Sequence, residues 1–224
     1  MPELRRVRLI VAYDGAPFHG LADNDDVRTV MGDVRTALER VVRQPVELTA
    51  AGRTDAGVHG WGQVVSGDLP ADTDLDGLAR RVSLMCAPAI VVRHAEWAEA
   101  DFNARFSALW RHYRYDVLNQ PLGNPFLAGT AWHVPRPLAL HAMRLACDPL
   151  IGEHDFSSFC RIPKVHDGQP QPSMVRRVLS AGWHVAPTDK GSDVLRFEIR
   201  ATAFCHQMVR SIVGTLVDVG LGKL

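Results

Sequence analysis

From residue 7 to residue 97 the hydrophobic pattern of this chain runs strand, helix, strand, strand, helix, strand, and few folds accept that order. Val7, Leu9, Val11 and Tyr13 alternate with Arg8, Ile10 and Ala12, the period-2 signature of a strand with one buried face. Asp14-Gly15 closes that strand as a turn. From Thr29 the period lengthens. Val30, Val34, Leu38 and Val41 fall on one helical face, with Thr29 placed to cap the helix and Pro45 to stop it. Short apolar runs at 46–51 and 63–65 read as two strands. Leu75, Leu78, Val82 and Met85 form a second helical row, and 90–97 is a further β-rich run. A helix-backed antiparallel or mixed sheet of the α+β class satisfies this order.

The second half is again strand-rich. Residues 109–119 read as a long strand with Arg111, Tyr113 and Tyr115 on one face and Trp110, His112 and Arg114 on the other. Residues 121–137, rich in Pro and Gly, read as a connection, and 138–151 as a helix whose last turn Pro149 should break. Residues 152–159 read as a structural loop, and 161–173, with Pro163, Gly168, Pro170 and Pro172, as a surface loop. Two strands, 175–185 and 194–201, flank a turn at 187–191. Last comes a helix over 204–219. Phe204, Met208, Ile212 and Leu216 make one apolar row and Val209, Val213 and Val217 another, so a deeply buried helix is expected. His206, Arg210 and Gly214 share a stripe on it, and a buried arginine requires a partner. The halves are expected to be domains, 1–104 and 105–224.

Composition excludes more than it selects. Hydrophobic residues make up 46% and charged residues 22%, as in ordinary globular chains. No apolar run approaches the roughly 20 residues of a membrane-spanning helix, and the charged N-terminus carries no signal-peptide pattern. Cys86, Cys147, Cys160 and Cys205 are far apart with no CxxC pair, which points to reduced thiols in a cytoplasmic protein rather than to disulfides or a zinc site. No Walker loop, Rossmann glycine pattern or metal-ligand spacing is present, so neither cofactor nor metal is expected. Net charge is zero, which does not announce a nucleic-acid binder. Yet Lys164, Lys190 and Lys223 are the only lysines, and the remaining positive charge is arginine, whose planar fork suits phosphate and base edges. A biased genomic base composition would produce the same excess.

One stretch carries the chemistry. Gly52-Arg53-Thr54-Asp55-Ala56-Gly57-Val58-His59 lies between two strand-like runs and sets a guanidinium, a hydroxyl and a carboxylate side by side on a glycine-bounded loop. Taken alone, Thr54 or Asp55 capping local N–H groups in a turn is an equal reading. The octapeptide resembles the signature loop of TruA-type tRNA pseudouridine synthases. Further similar segments follow in the family's order. They are Tyr13-Asp14-Gly15 with Phe18, Gly20 and Thr29-Val30, then Phe102 with Ala104-Arg105-Phe106-Ser107. Next come Arg111-His112-Tyr113-Arg114-Tyr115, the run from Gly152 to Phe159, and Ala203-Phe204 with Met208-Val209-Arg210 and Ile212-Val213-Gly214. Leu21-Ala22 stands where the family carries Trp-Gln, and Ser83 where it carries Asn.

The resemblance implies two ferredoxin-like α/β domains with an active-site cleft between them, a homodimer, no cofactor, and tRNA bound through its anticodon stem-loop. It implies Asp55 as nucleophile, Arg210 as its charge partner, Arg53 displacing the target uridine and Tyr113 stacking on it. Family members continue for some thirty or more residues past the point where this sequence stops, which suggests a truncated chain or a shortened branch. Two other readings stand beside an active synthase: a catalytically weakened tRNA-binding or folding paralogue, and a small-molecule enzyme using Asp55 as a general base.

Overall fold

A computed structural model describes residues 3–24, 26–162 and 171–224. Strand β1 (Leu4–Tyr13) starts earlier than its alternation suggested and buries Val7, Leu9, Val11 and Tyr13. Helix α1 (Val30–Val42) begins where Thr29 accepts the Gly32 N–H, and ends at a left-handed Arg43 whose N–H reaches Glu39 O. Strand β2 is Leu48–Ala50. Strand β3 (Gly60–Pro70) is far longer than the apolar 63–65 run because it pairs with β1 along almost its whole length. Helix α2 (Leu75–Met85) is capped by Asp74 on Gly77 N and followed by β4 (Ile90–Trp97).

These strands form one sheet in the order β2-β3-β1-β4, with antiparallel neighbours throughout. That is the βαββαβ arrangement of a ferredoxin-like unit. Both helices share the sheet's core, with Val34 and Leu38 of α1 and Leu78 and Val82 of α2 wholly buried. Each such aliphatic side chain contributes about 1.5–3 kcal/mol by leaving water. The chain divides into two units, Met1–Ala108, which holds this sheet, and Leu109–Leu224.

The second unit contains β5 (Arg111–Leu118), β6 (Trp132–His133), α3 (Leu140–Leu145), β7 (Gly152–Asp155), β8 (Val175–Ala186), β9 (Val194–Ala201) and α4 (Met208–Gly220). Its sheet order is β6-β5-β9-β8-β7, with β5–β6 the parallel pair. Phe197 and Ile199 of β9 meet Met208, Ile212, Val213, Leu216 and Val217 of α4 in a separate core. The molecule is therefore α+β with two predominantly antiparallel sheets.

Four expectations are corrected here. The helix expected over 138–151 is only α3, followed by a 3-10 turn at Asp148–Leu150 in which Pro149 stands near the start, where its missing N–H costs nothing. Residues 152–155 are strand β7 rather than loop, because β8 offers them an edge to pair with. The last helix begins at Met208, not at 204. Gln207 is left-handed (φ 64), Phe204 packs edge-on against Tyr113, and the His206 carbonyl accepts the Arg161 N–H at 3.0 Å. These tertiary contacts hold 204–207 out of the helix, so His206 does not share the stripe of Arg210 and Gly214. Arg210 itself is exposed rather than buried, since the two apolar rows occupy the other faces of α4. Of the loop expected at 161–173, residues 163–170 lie outside the described residues.

All four cysteines are free. Burial, with the neighbouring Cys205 thiol adding to it, pushes the Cys160 thiol up to about 12.

Candidate active site

The loop between β2 and β3 is held by hydrogen bonds within its own unit. Ala51 donates its N–H to Val64 O at 2.9 Å, and the Gln63 side-chain amide donates to Gly52 O at 2.6 Å. The Thr54 hydroxyl lies 2.9 Å from the Tyr13 hydroxyl, and the Thr54 carbonyl accepts the Leu21 N–H at 3.1 Å. The Asp55 carbonyl accepts the Val58 N–H at 3.2 Å, closing a tight turn. Gly57 completes that turn with φ 78, a conformation glycine adopts without penalty.

The segment after β1 forms the floor. A Cβ on Gly15 would overlap the Val58 carbonyl, and one on Gly60 would overlap the Tyr13 ring, so both glycines permit backbone approach that no other residue allows. His59 Nδ1 lies 3.2 Å from Gly15 N and 3.0 Å from Asp14 Oδ1. The same nitrogen accepts the amide proton when it is bare and donates to the carboxylate when it is protonated. On this scaffold Asp55 is half-buried and Arg53 exposed.

The contact through Leu21 bears on the Trp-Gln departure. What this position gives the loop is a main-chain N–H, available from any residue except proline. The Leu21 side chain is turned into the first core.

Tyr113 and Arg210 belong to the second unit. Tyr113 is half-buried on the core face of β5, with Phe204 at 5.0 Å between ring centroids and 85° between planes. Trp110, His112 and Arg114 take the opposite face. There Arg200 lies over Trp110 at 4.2 Å, and His112 reaches Glu198 at 3.5 Å. Arg196 grips Asp116 with two bonds of 2.8 and 3.0 Å. Arg111 donates to Thr202 O at 2.6 Å.

Arg210 stands in the first turn of α4, where the helix dipole is positive and a cation is disfavoured. That turn holds no acidic residue, and Gln207 supplies no side-chain cap. An anion is what such a turn attracts.

The four residues singled out from sequence thus divide two and two, Arg53 and Asp55 on the first unit, Tyr113 and Arg210 on the second. Sequence reading missed Tyr13 and Thr54 as a pair, and the structural need for Gly60. The available signal was slight: an aromatic with a polar tip on the buried face of β1. Among the described residues no group of three or more His, Cys, Asp or Glu could hold a metal ion, and no helix is long and apolar enough to cross a membrane.

Residues 146–224 match a family model described as tRNA pseudouridine synthase. Three curated relatives are each named tRNA pseudouridine synthase A. That of Frankia casuarinae is 44% identical over 98% of this chain and 77% of its own length. The Corynebacterium glutamicum relative is 41% identical over 97% and 77%. The Brevibacillus brevis relative is 37% identical over 98% and 86%.

Proposed function

The chain belongs to the tRNA pseudouridine synthase family, an isomerase that makes pseudouridine in tRNA, and within that family we propose that it acts on the anticodon stem-loop with Asp55 as nucleophile. The observation that carries this is the bracing of the Asp55 loop. The peptide groups on both sides of Asp55 are held by hydrogen bonds from the Leu21 and Val58 N–H groups, and the Thr54 side chain is held by the Tyr13 hydroxyl. A carboxylate held in one place before substrate arrives supplies much of what a covalent step demands.

The reaction is internally balanced. The C1′–N1 bond of uridine breaks, the base turns, C1′ bonds to C5, and the proton leaving C5 is made up by one gained at N1. No electron acceptor enters. Asp55 must remain ionised, and Arg210 is proposed as the charge that keeps it so. A cation set at the positive end of α4 is unfavourable for the helix alone and favourable only with an anion beside it. Tyr113, propped edge-on by Phe204, is proposed to stack on the uracil. Exposed Arg53 is proposed to occupy the place the base vacates, a step that costs a few kcal/mol of unstacking. Family resemblance extends the proposal to a homodimer.

The test is tritium release from tRNA labelled at uridine C5, since only bond formation at C5 expels the label. Asp55→Asn keeps size and most hydrogen bonding but removes the attacking charge. The variant should fold, bind tRNA and release no measurable tritium. Release at an appreciable rate from a verified preparation would overturn the assignment.

A further inference from the structure

We propose that Tyr13 is a positioning residue for the catalytic loop, holding Asp55 in register through the Thr54 hydroxyl; the proposal rests on Asp55 being the nucleophile. Tyr13 is the last residue of β1 and is buried, its ring in a slot that exists because residue 60 is glycine. A residue needed there only to fill the core could be phenylalanine. What tyrosine adds is a hydroxyl, and a buried phenol needs a partner. The partner here is Thr54 Oγ1 at 2.9 Å, on the residue directly before Asp55.

The consequence for Asp55 follows from peptide geometry. The Thr54 carbonyl, bonded to Leu21 N–H at 3.1 Å, lies in the same rigid plane as the Asp55 amide. The Asp55 carbonyl, bonded to Val58 N–H, fixes the plane on the other side. With both planes held, the carboxylate keeps only its side-chain torsions. Tyr13 grips Thr54 by its side chain while Leu21 grips it by its backbone, and each restrains a different rotation. Loss of the hydroxyl pair frees the Thr54 side chain and lets the plane before Asp55 rock.

A misplacement of about 1 Å at a reacting group can cost on the order of 100-fold in rate. Tyr13→Phe leaves the ring in its slot, and Thr54→Val keeps the shape of Thr54. Each should lower kcat for tRNA about 10- to 100-fold. The KM for tRNA should stay essentially unchanged, because the two hydroxyls are engaged with each other.

If the two act through one bond, the double variant should be no slower than the worse single one. Thr54→Ser, which retains the hydroxyl, should recover most of the rate. The inference is overturned by wild-type kcat in both single variants, by losses that multiply in the double variant, by a loss confined to KM, or by Thr54→Ser behaving like Thr54→Val. Should Tyr13→Phe fail to fold, the Thr54→Val and Thr54→Ser comparison reads the same bond with the tyrosine intact. Asp55→Asn, assayed in parallel, keeps the two levels apart. Turnover by that variant would remove the nucleophile reading itself. A dead Asp55→Asn beside fully active Tyr13→Phe and Thr54→Val would remove only the role of Tyr13.

Discussion

The Asp55 loop and helix α4 both carry residues assigned to the reaction, and they use glycine in opposite ways. Around the loop, Gly15 and Gly60 are filled to the limit, one by the Val58 carbonyl and the other by the Tyr13 ring. On α4 a Cβ at Gly214, one turn beyond Arg210, would meet nothing within 4 Å. Close approach in the first region locks the backbone that carries the Asp55 carboxylate. Open space in the second leaves a notch beside an exposed arginine in a helix that would be more stable without it. The loop is organised by close packing within its own unit, whereas α4 leaves the space beside Gly214 open.

That contrast can be broken most directly at Gly60. Gly60→Ala forces a methyl group into the Tyr13 ring, and overpacking of this kind costs about 1–3 kcal/mol. We expect a clear drop in the denaturant midpoint together with loss of tritium release, since the displaced ring carries its hydroxyl away from Thr54. Unchanged stability would mean the slot can widen and the loop is less tightly braced than its geometry indicates. Gly214→Ala should move the other way, stabilising the protein by about 0.5–1 kcal/mol, the usual gain on replacing a helix-interior glycine. Thermal unfolding reads this, and a destabilised variant would show that the notch is occupied and end the contrast.

The smallest effect is chemical and reports on thiol burial. Cys160 is pushed up to about 12 and Cys147 to about 11, burial being the first cause in both. At pH 8 both should be almost wholly protonated and react with iodoacetamide at least tenfold more slowly than a free thiol, because the thiolate is the nucleophile. Denaturation should abolish that protection. Rapid labelling of native Cys160 would show that its thiol is not shielded by burial as the raised pKa requires.

The order of elements in the first unit was readable from residues 7 to 97 because period 2 and period 3.6 are local properties of burial. The Thr29 cap was readable for the same reason: its hydrogen bond spans three residues. The octapeptide stood out through its resemblance to the family's signature loop, whereas its residue types alone fitted a capped turn equally well. The start of α4 was not readable, since Phe204 continues an apolar row at helical spacing while folding back onto Tyr113, a residue of β5. Nor could a sequence reveal that Arg210 lies on the exposed face. Its row and the two apolar rows are adjacent on the helix, and only packing against β9 decides which of them turns inward. The bond between Tyr13 and Thr54 joins residues 41 apart. Hydrophobic periodicity reports which side of an element faces away from water. It carries no information about which distant hydroxyl waits on that side, and that choice was made by the pairing of β1 with β3 and the glycine that lets the ring lie between them.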